Sequence, residues 1–294
     1  MLANAHAGST DTEAVAAASA ALAQSGEVEQ ATTGSPEELD AALDRRAGRR
    51  LVVAGGDGSL HLVVRRLHER GELADGDLAL VPLGTGNDLG RALGIPFDPA
   101  AAGALAATGQ ARPLDLLVDD EGRPSVNAVH VGVGADAAQA AAGLKPRLGP
   151  VAYPLGALAA GLRTVGWHVR VEVDDRVVAD GSQRVLMAAV GNGPGVGGGT
   201  ALLPYAVPDD GLLDVMVSFA TGPFARLAFG SALRDGRHPE SDRVRYDRGR
   251  TVRVSGGPVP LNEDGEIGTD VAARAWHVVP GAWRLVTPPV TSSA

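Results

Sequence analysis

The sequence predicts a protein of class α/β plus β-rich with two domains, the first built on a parallel sheet and the second mainly on antiparallel strands. Up to about residue 113, strand-like apolar runs alternate with helix-like segments, which is typical of a parallel sheet wrapped by helices. After that point, segments of alternating apolar and polar residues follow one another across short turns, as in antiparallel sheets. We therefore predict domains at residues 1–113 and 114–294, with the tail 283–294 as a candidate to return to the first domain.

Capping signals delimit the helices of the first domain. Residues 9–25 form a predicted helix that is ended by a glycine. The next helix is predicted to have Ser35 as its N-cap, Pro36 in its first position and Glu38 three residues after the cap. The alanine-rich segment 99–108 is predicted as a further helix, again ended by a glycine.

The stretch VVAGGDGSLHLVVRRL, residues 52–67, places Asp57 among glycines directly after an apolar run. An Asp-Gly pair between apolar segments is a strong hairpin signal, which would make the following segment a strand. However, the apolar residues after it recur at i, i+3, i+4 and i+7, which is the spacing of one helix face. These residues are Leu60, Val63, Val64 and Leu67. The stretch therefore predicts a strand, a glycine loop and a helix, an arrangement in which backbone N–H groups face an anion.

Three glycine-rich clusters share this context: NAHAGS (4–9), GGDGS (55–59) and PLGTGND (82–88). Each follows a strand position at the carboxyl edge of the predicted parallel sheet, where open α/β sheets bind ligands. Glycine lets the backbone approach a polyphosphate closely. The dinucleotide fingerprint G-x-G-x-x-G is absent from the first βα unit, which disfavours a Rossmann dehydrogenase.

The composition allows a large core and excludes several classes of protein. Of the 294 residues, 45% are apolar, and there is no cysteine, which excludes disulfides and thiolate metal sites. No apolar run reaches the roughly 18 residues of a membrane span, and the first residues do not resemble a signal peptide. We therefore expect a cytoplasmic protein.

The charged residues exclude further classes. A net charge of −9 argues against a general nucleic-acid-binding protein, so we expect no nucleic-acid partner. Lys145 is the only lysine, whereas the Walker P-loop and the protein kinases each require a lysine beside the phosphates. Any phosphate transfer must therefore depend on backbone amides, Mg²⁺ and arginine.

Turn signals divide the second half of the chain. Asp174-Asp175 and Asp180-Gly181 separate alternating segments that read as strands. Helices are predicted near residues 135–142, 151–163 and 223–234. Two further glycine- or acid-rich clusters lie in this half: GGGTALLPYAVPDDGLLDV (197–215) and LNEDGE (261–266).

The order GGDGS, PLGTGND, GGG…LLP.A…DDGLLDV and DGE resembles the diacylglycerol kinase catalytic family. That family also includes sphingosine and ceramide kinases, is more distantly similar to NAD kinases and phosphofructokinases, and transfers the γ-phosphate of ATP to a lipid hydroxyl. The resemblance runs from Asn4 to about Glu266. It implies an α/β nucleotide domain, a β-rich second domain and a cleft between them.

The resemblance implies that ATP binds to the glycine loops of the first domain. Hydroxyl and amide side chains in these loops are implied to add hydrogen bonds. The implied ATP-binding residues are Asn4, Gly8, Ser9, Gly55, Gly56, Asp57, Gly58, Ser59, Gly84, Thr85, Gly86 and Asn87.

Acidic residues are implied to carry the phosphoryl transfer. Glu266 matches the family's proposed proton acceptor, and Asp57 matches an aspartate assigned as base or metal partner. Asp264 belongs to the same Asp-Gly-Glu motif as Glu266, and Asp115 fits an acidic position early in the second domain. Taken alone, Asp264 with the following glycine is typical of a hairpin turn, and Asp115 can equally end a strand.

The resemblance implies Mg²⁺ in a loop of the second domain. Asp210 and the backbone carbonyls of Val207 and Leu212 match a structural magnesium loop of bacterial members. The Asp-Asp-Gly sequence at residues 209–211 can also be a plain turn.

We interpret the sequence as that of a lipid kinase that uses ATP and Mg²⁺ and most readily accepts diacylglycerol, forming phosphatidic acid. Its expected place is the cytoplasm, peripheral to the inner face of the membrane, where it meets its lipid at the bilayer surface. A homodimer is a candidate assembly. The alternatives are a sphingoid-base or ceramide kinase, a kinase of the same superfamily with another acceptor, and a non-catalytic nucleotide-binding regulator.

Overall fold

The computed structural model describes residues 1–4, 9–133, 166–264, 266–267 and 270–289. They form two compact units, one within Met1–Leu116 and Pro280–Ala294 and the other within Leu117–Val279. The first unit has a parallel sheet and the second has antiparallel sheets, so the predicted fold class is confirmed.

The first unit alternates strands and helices along the chain. Its elements are β1 (Leu2–Asn4), α1 (Ser9–Ala23), β2 (Ala31–Thr33), α2 (Pro36–Asp44), β3 (Leu51–Gly55), α3 (Asp57–Glu69), β4 (Asp77–Pro82), α4 (Asp88–Ala92), α5 (Pro99–Thr108) and the first part of β5 (Gln110–Asp119). The strands pair in the order β2-β1-β3-β4, and every pair is parallel. The carboxyl ends of these strands therefore lie at one edge of the sheet.

Small side chains let α1 and α5 pack closely on one face of this sheet. A Cβ atom on Gly103 would lie 2.5 Å from the carbonyl oxygen of Ala18, so only glycine fits at that crossing. Val52 and Val81 of the strands belong to the same buried cluster. Aromatic residues make up only 3% of the chain, and alanine and valine fill this core instead.

The predicted caps of α2 and α5 are confirmed, whereas α1 ends at Ala23, two residues before the predicted end at residue 25. The hydroxyl of Ser35 accepts the N–H of Glu38 at 3.3 Å, and Pro36 begins α2. The predicted face of α3 is buried, including Leu60 and Leu67, so the hairpin interpretation of GGDGS was wrong. The sequence pattern did not predict β2, because this strand has only three residues, Ala-Thr-Thr, none of which is buried and which form no apolar run.

The second unit contains most of the antiparallel strands. Its elements are the end of β5, β6 (Pro124–Ser125), β7 (Ala128–Gly132), β8 (Arg170–Val173), β9 (Arg176–Asp180), β10 (Met187–Gly191), β11 (Leu213–Ser218), α6 (Pro223–Arg234), a 3₁₀ turn (His238–Glu240), β12 (Val244–Gly249), β13 (Thr251–Val259), β14 (Leu261–Glu263), β15 (Glu266–Ile267) and most of β16 (Val271–Thr287). One sheet has the order β12-β11-β10-β7-β14-β15, and β16-β13-β8-β9 pair in another.

Alternation of side chains builds the core of the second unit. Val129, Val190 and Val215 come from one sheet, and Val171 and Val254 come from the other, yet all five belong to one buried cluster. The inner faces of the two sheets therefore pack against each other. β-Branched valine suits this arrangement because it packs well on a pleated surface.

Some of the remaining predictions can be compared with this structure. The helix predicted at residues 223–234 is confirmed as α6, whereas those near 135–142 and 151–163 lie outside the described residues. At the end of β16, Arg284 and Leu285 pair in parallel with Asp77 and Leu78 of β4 in the first unit. Among the described helices, none is long and apolar enough to cross a membrane.

Candidate active site

The two described glycine loops of the first unit touch each other at the carboxyl edge of the sheet. A Cβ atom on Gly84 would lie 2.5 Å from the Cα atom of Gly56, and one on Gly56 would lie 2.9 Å from the Cα atom of Gly84. Any side chain at either position would separate the loops. The loop after β3 and the loop after β4 thus form one backbone surface, which explains why both sequences need glycine there.

Asn87 holds the second loop closed. The side-chain oxygen of Asn87 accepts the N–H of Gly84 at 2.9 Å, and its amide nitrogen donates to the carbonyl of Gly84 at 2.6 Å. Asn87 adopts a left-handed conformation with φ 52°, which asparagine tolerates better than most residues. The structure therefore gives Asn87 a role in shaping the loop, and direct contact with ATP stays a prediction.

Asp57 links the two loops. It lies in the first turn of α3, and one of its carboxylate oxygens accepts the N–H of Leu89, at the start of α4, at 3.4 Å. Burial raises the pKa of Asp57, and the charge of Asp88 acts in the same direction, while backbone N–H groups of residues 87–89 oppose the shift. A half-buried carboxylate that links two glycine loops is suited to contact a cation that accompanies a polyphosphate.

A cavity of about 180 Å³ opens beside the first loop. Ser59 and Leu62 of α3 line it together with Thr33, the last residue of β2, and with Gly34 and Ser35, which follow that strand. Ser59 is one of the predicted ATP-binding residues, and ATP binding by it stays a prediction. The sequence pattern did not single out Thr33 and Gly34, which line the same cavity. The available signal was the Thr-Gly pair directly before the N-cap Ser35. Because β2 was not predicted, nothing in the sequence placed this pair at the carboxyl edge of the sheet.

The other predicted ATP-binding residues vary in exposure. Gly58 and Thr85 are exposed, and the carbonyl of Gly86 accepts a hydrogen bond from Arg91 at 3.4 Å. A Cβ atom on Gly55 would lie 2.5 Å from the hydroxyl oxygen of Ser59, so Gly55 is required by packing. Gly8 lies outside the described residues; Asn4 ends β1 and Ser9 begins α1.

Asp264 organises a turn in the second unit. Its carboxylate accepts the backbone N–H groups of Val126, Asn127 and Ala128 at 2.6, 3.0 and 3.0 Å. Its backbone is left-handed, with φ 46°, and it lies two residues before the start of the short strand β15. Asp264 therefore positions the chain that leads into Glu266, the first residue of β15. The catalytic role predicted for Asp264 itself stays a prediction, as does the role of Glu266.

Asp115 has a structural partner in the first unit. It is 3% exposed, its carboxylate accepts the N–H of Gly281 at 2.8 Å, and its carbonyl accepts the indole N–H of Trp283 at 3.1 Å. These contacts hold the last part of β16 beside β5. A catalytic role for Asp115 stays a prediction.

The loop predicted to bind Mg²⁺ contains an arginine partner for Asp210. One carboxylate oxygen of Asp210 accepts the N–H of Leu212 at 3.1 Å, and the other contacts the guanidinium of Arg248. Arg248 also donates to buried Asp214 at 3.2 Å, and Tyr246 donates to the second oxygen of Asp214 at 2.9 Å. Burial raises the pKa of Asp214 despite these partners.

This arrangement does not fit a magnesium ion held by Asp210 as predicted. A divalent cation would have to share the carboxylate with a guanidinium, which already supplies positive charge to both acids. The other predicted ligands, the carbonyls of Val207 and Leu212, carry no full charge.

We therefore expect that removing divalent metal with a chelator leaves the free energy of unfolding unchanged, whereas Arg248→Met lowers it by about 1–3 kcal/mol because Asp214 loses a buried partner. Arg170→Met is the matched control, since Arg170 pairs with Glu172 at 2.7 Å at the surface of the same unit. Chemical denaturation with and without chelator measures both effects. A loss of stability on chelation would support the predicted magnesium loop instead.

Comparisons with known proteins match this chain along most of its length. The family model "Diacylglycerol kinase catalytic domain" matches residues 1–118, and "YegS C-terminal NAD kinase beta sandwich-like domain" matches residues 127–287. A protein named "Probable lipid kinase YegS-like" from Stenotrophomonas maltophilia is 36% identical over 249 residues, covering 81% of this chain and 78% of the relative. Its namesake from Pseudomonas aeruginosa is 36% identical over 240 residues, covering 81% and 76%.

The fold is also found in solved structures. The crystal structure of a diacylglycerol kinase from Bacillus anthracis superposes with a TM-score of 0.71 at 19% identity, covering 98% of this chain and 96% of the other. At this identity the likeness concerns the fold alone.

Proposed function

Because this chain belongs to the diacylglycerol kinase family of lipid kinases, in its YegS-like branch, we propose that it transfers the γ-phosphate of Mg-ATP to a hydroxyl group of diacylglycerol, forming phosphatidic acid. The observation that carries the proposal is the contact of the two glycine loops around Asp57. The two loops together offer backbone N–H groups, the N-terminus of α3 and the carboxylate of Asp57 at the same edge of the sheet. These groups are suited to bind the phosphates of ATP and the metal ion that accompanies them.

The proposed reaction forms one bond and breaks another. The lipid hydroxyl oxygen attacks the γ-phosphorus of ATP, the bond to ADP breaks, and the hydroxyl proton passes to the carboxylate of Glu266. Positioning and charge stabilisation account for most of such a transfer, so backbone donors beside Gly56 and Gly84 can replace the lysine of other kinases. Asp57 would contact the Mg²⁺ that accompanies ATP, and that ion would neutralise charge on the transferred phosphoryl group.

A neutral acceptor is favoured by the glycine segment 195–204 of the second unit. This segment, GVGGGTALLP, has no charged residue. Gly197, Gly198 and Gly199 are exposed and all have positive φ, within a tight turn closed by pairing of Val196 with Thr200. A sphingoid base carries an ammonium group that would need an acid beside it, whereas a glyceride needs none. We propose that this segment contacts the acceptor.

The proposal is tested with the purified full chain, labelled Mg-ATP and mixed micelles that contain diacylglycerol, sphingosine or ceramide, with glycerol as a soluble acceptor. We expect diacylglycerol to be phosphorylated fastest. Asp57→Asn serves as the control variant, because its amide oxygen can still accept the N–H of Leu89 while the charge is lost. It should fold normally and react roughly 10²-fold more slowly or worse.

Each other outcome identifies an alternative. Faster turnover of sphingosine or ceramide would reassign the acceptor, and phosphorylation of glycerol alone would exclude a lipid kinase. Binding of ATP without transfer to any acceptor would indicate a nucleotide-binding regulator. Near-normal turnover by a folded Asp57→Asn variant would remove Asp57 from the reaction.

A further inference from the structure

Helix α6 of the second unit exposes two large apolar side chains on one face. Phe224 is 86% exposed and Leu227 is 66% exposed, which makes them the most exposed large apolar residues that the structure describes. They are three residues apart, so they lie on the same side of the helix, and exposed Ala228 extends this side. The opposite side is anchored in the core through buried Phe229. The exposed face is therefore held rigidly outward.

The same segment is basic although the whole chain is acidic. Residues 223–237 contain three arginines and one aspartate, whereas the net charge of the chain is −9. The side chains of Arg234 and Arg237 are 82% and 67% exposed. Their contacts with Asp235, at 3.5 and 3.8 Å, are long surface pairs that hold an arginine weakly. Both guanidinium groups can therefore turn toward an external anion.

Protruding apolar side chains beside exposed arginines are the pattern of a helix that lies in a membrane interface. Phenylalanine and leucine enter the boundary between headgroups and acyl chains, while arginines contact anionic headgroups. A second copy of this chain fits the face less well. In a symmetric dimer the same patch meets itself, so the arginines of one copy would face a surface that is itself basic and apolar.

We propose that the α6 face, defined by Phe224, Leu227, Arg234 and Arg237, docks this protein on an anionic bilayer. The inference rests on the proposed function only in that a kinase with a lipid acceptor must reach a bilayer. Docking itself needs neither ATP nor acceptor. The acidic chain as a whole would be repelled by such a surface, so a local basic and apolar patch would also set the side from which the protein approaches.

The test is cosedimentation of the full chain with vesicles of phosphatidylcholine alone or mixed with phosphatidylglycerol, without ATP or diacylglycerol. We expect binding to the mixed vesicles to be stronger by roughly tenfold or more, and to weaken as salt is added. The double variant Phe224→Ala with Leu227→Ala should lose roughly tenfold in binding to the mixed vesicles, and so should Arg234→Gln with Arg237→Gln.

The matched control is Arg176→Gln with Val177→Ala, which removes one exposed basic and one exposed apolar side chain from β9. It should bind like the unaltered chain. Equal binding by the α6 variants and the control would overturn the proposal. So would equal binding to both kinds of vesicle, or a dimer that the α6 apolar variant dissociates in sedimentation equilibrium.

A second readout separates docking from catalysis. With a short-chain diacylglycerol dissolved below its micelle concentration, the α6 apolar variant should react at the rate of the unaltered chain, but it should be slower on vesicles. Vesicle binding without phosphorylation of any acceptor would leave docking supported and the proposed function rejected. Phosphorylation of diacylglycerol without α6-dependent vesicle binding would support the proposed function and reject docking through α6.

Discussion

Glu266→Gln is expected to lower kcat by about 10²–10⁴-fold while the affinity for ATP stays unchanged. The carboxamide has nearly the shape of the carboxylate but cannot accept the proton of the lipid hydroxyl. ATP binding is assigned to loops of the first unit, at positions distant in sequence from residue 266. Single-turnover kinetics with saturating acceptor measures the chemical step, and calorimetry with a non-hydrolysable ATP analogue measures binding.

Asp264→Asn is the informative comparison for this prediction. The carboxylate of Asp264 accepts three backbone N–H groups, and an amide has only one oxygen with which to do so. Asp264→Asn should therefore reduce the free energy of unfolding by about 1–3 kcal/mol, whereas Glu266→Gln should leave it unchanged. If Glu266→Gln retained kcat within a factor of about three, general-base catalysis by Glu266 would be rejected.

Gly84→Ala is expected to weaken ATP binding by roughly tenfold or more and to destabilise the first unit by about 1–3 kcal/mol. The added methyl group would lie 2.5 Å from the Cα atom of Gly56 and 2.9 Å from the side-chain oxygen of Asn87. The near atom on the other loop belongs to the backbone, so it cannot move aside as a flexible side chain would. The two loops must separate, and their N–H groups then no longer face one phosphate group.

Gly76→Ala is the matched control for Gly84→Ala. Gly76 precedes β4 in the same unit, and a Cβ atom there would have no neighbour within 4 Å. This variant should bind ATP normally and unfold at the denaturant concentration of the unaltered chain. Unchanged ATP affinity in Gly84→Ala would show that ATP binding does not need the contact between the two loops. That contact would then no longer support the proposed function.

Local signals in the sequence were sufficient to predict most elements that lie close to the candidate site. The caps of α2, the buried face of α3 and the limits of α6 each depend on residues within one or two turns of each other. The change from alternating strands and helices to successive strands likewise predicted the fold class. Such features are determined by short-range hydrogen bonding and by the period with which apolar residues recur.

Contacts between distant residues were not predictable in this way. Glycine at positions 56 and 84 suggested two loops, but only the parallel pairing of β3 with β4 brings their Cα atoms together. The three N–H groups that Asp264 accepts lie 136 to 138 residues earlier in the chain. No local pattern marks such partners, because sheet register and core packing select them after the strands have paired.

The candidate magnesium loop and the α6 face also combine features that the sequence predicted with contacts that only the tertiary structure revealed. The Asp-Asp-Gly sequence predicted a turn or a metal-binding loop at residues 209–211. It did not predict the contact of Arg248 with Asp210, because that contact depends on the pairing of β12 with β11. The sequence likewise predicted α6 as a helix without indicating which of its apolar residues stay outside. Sequence alone thus determined the elements and the chemical character of their loops. Tertiary structure decided which side chains meet and which remain exposed, because long-range strand pairing and burial of apolar surface select those contacts together.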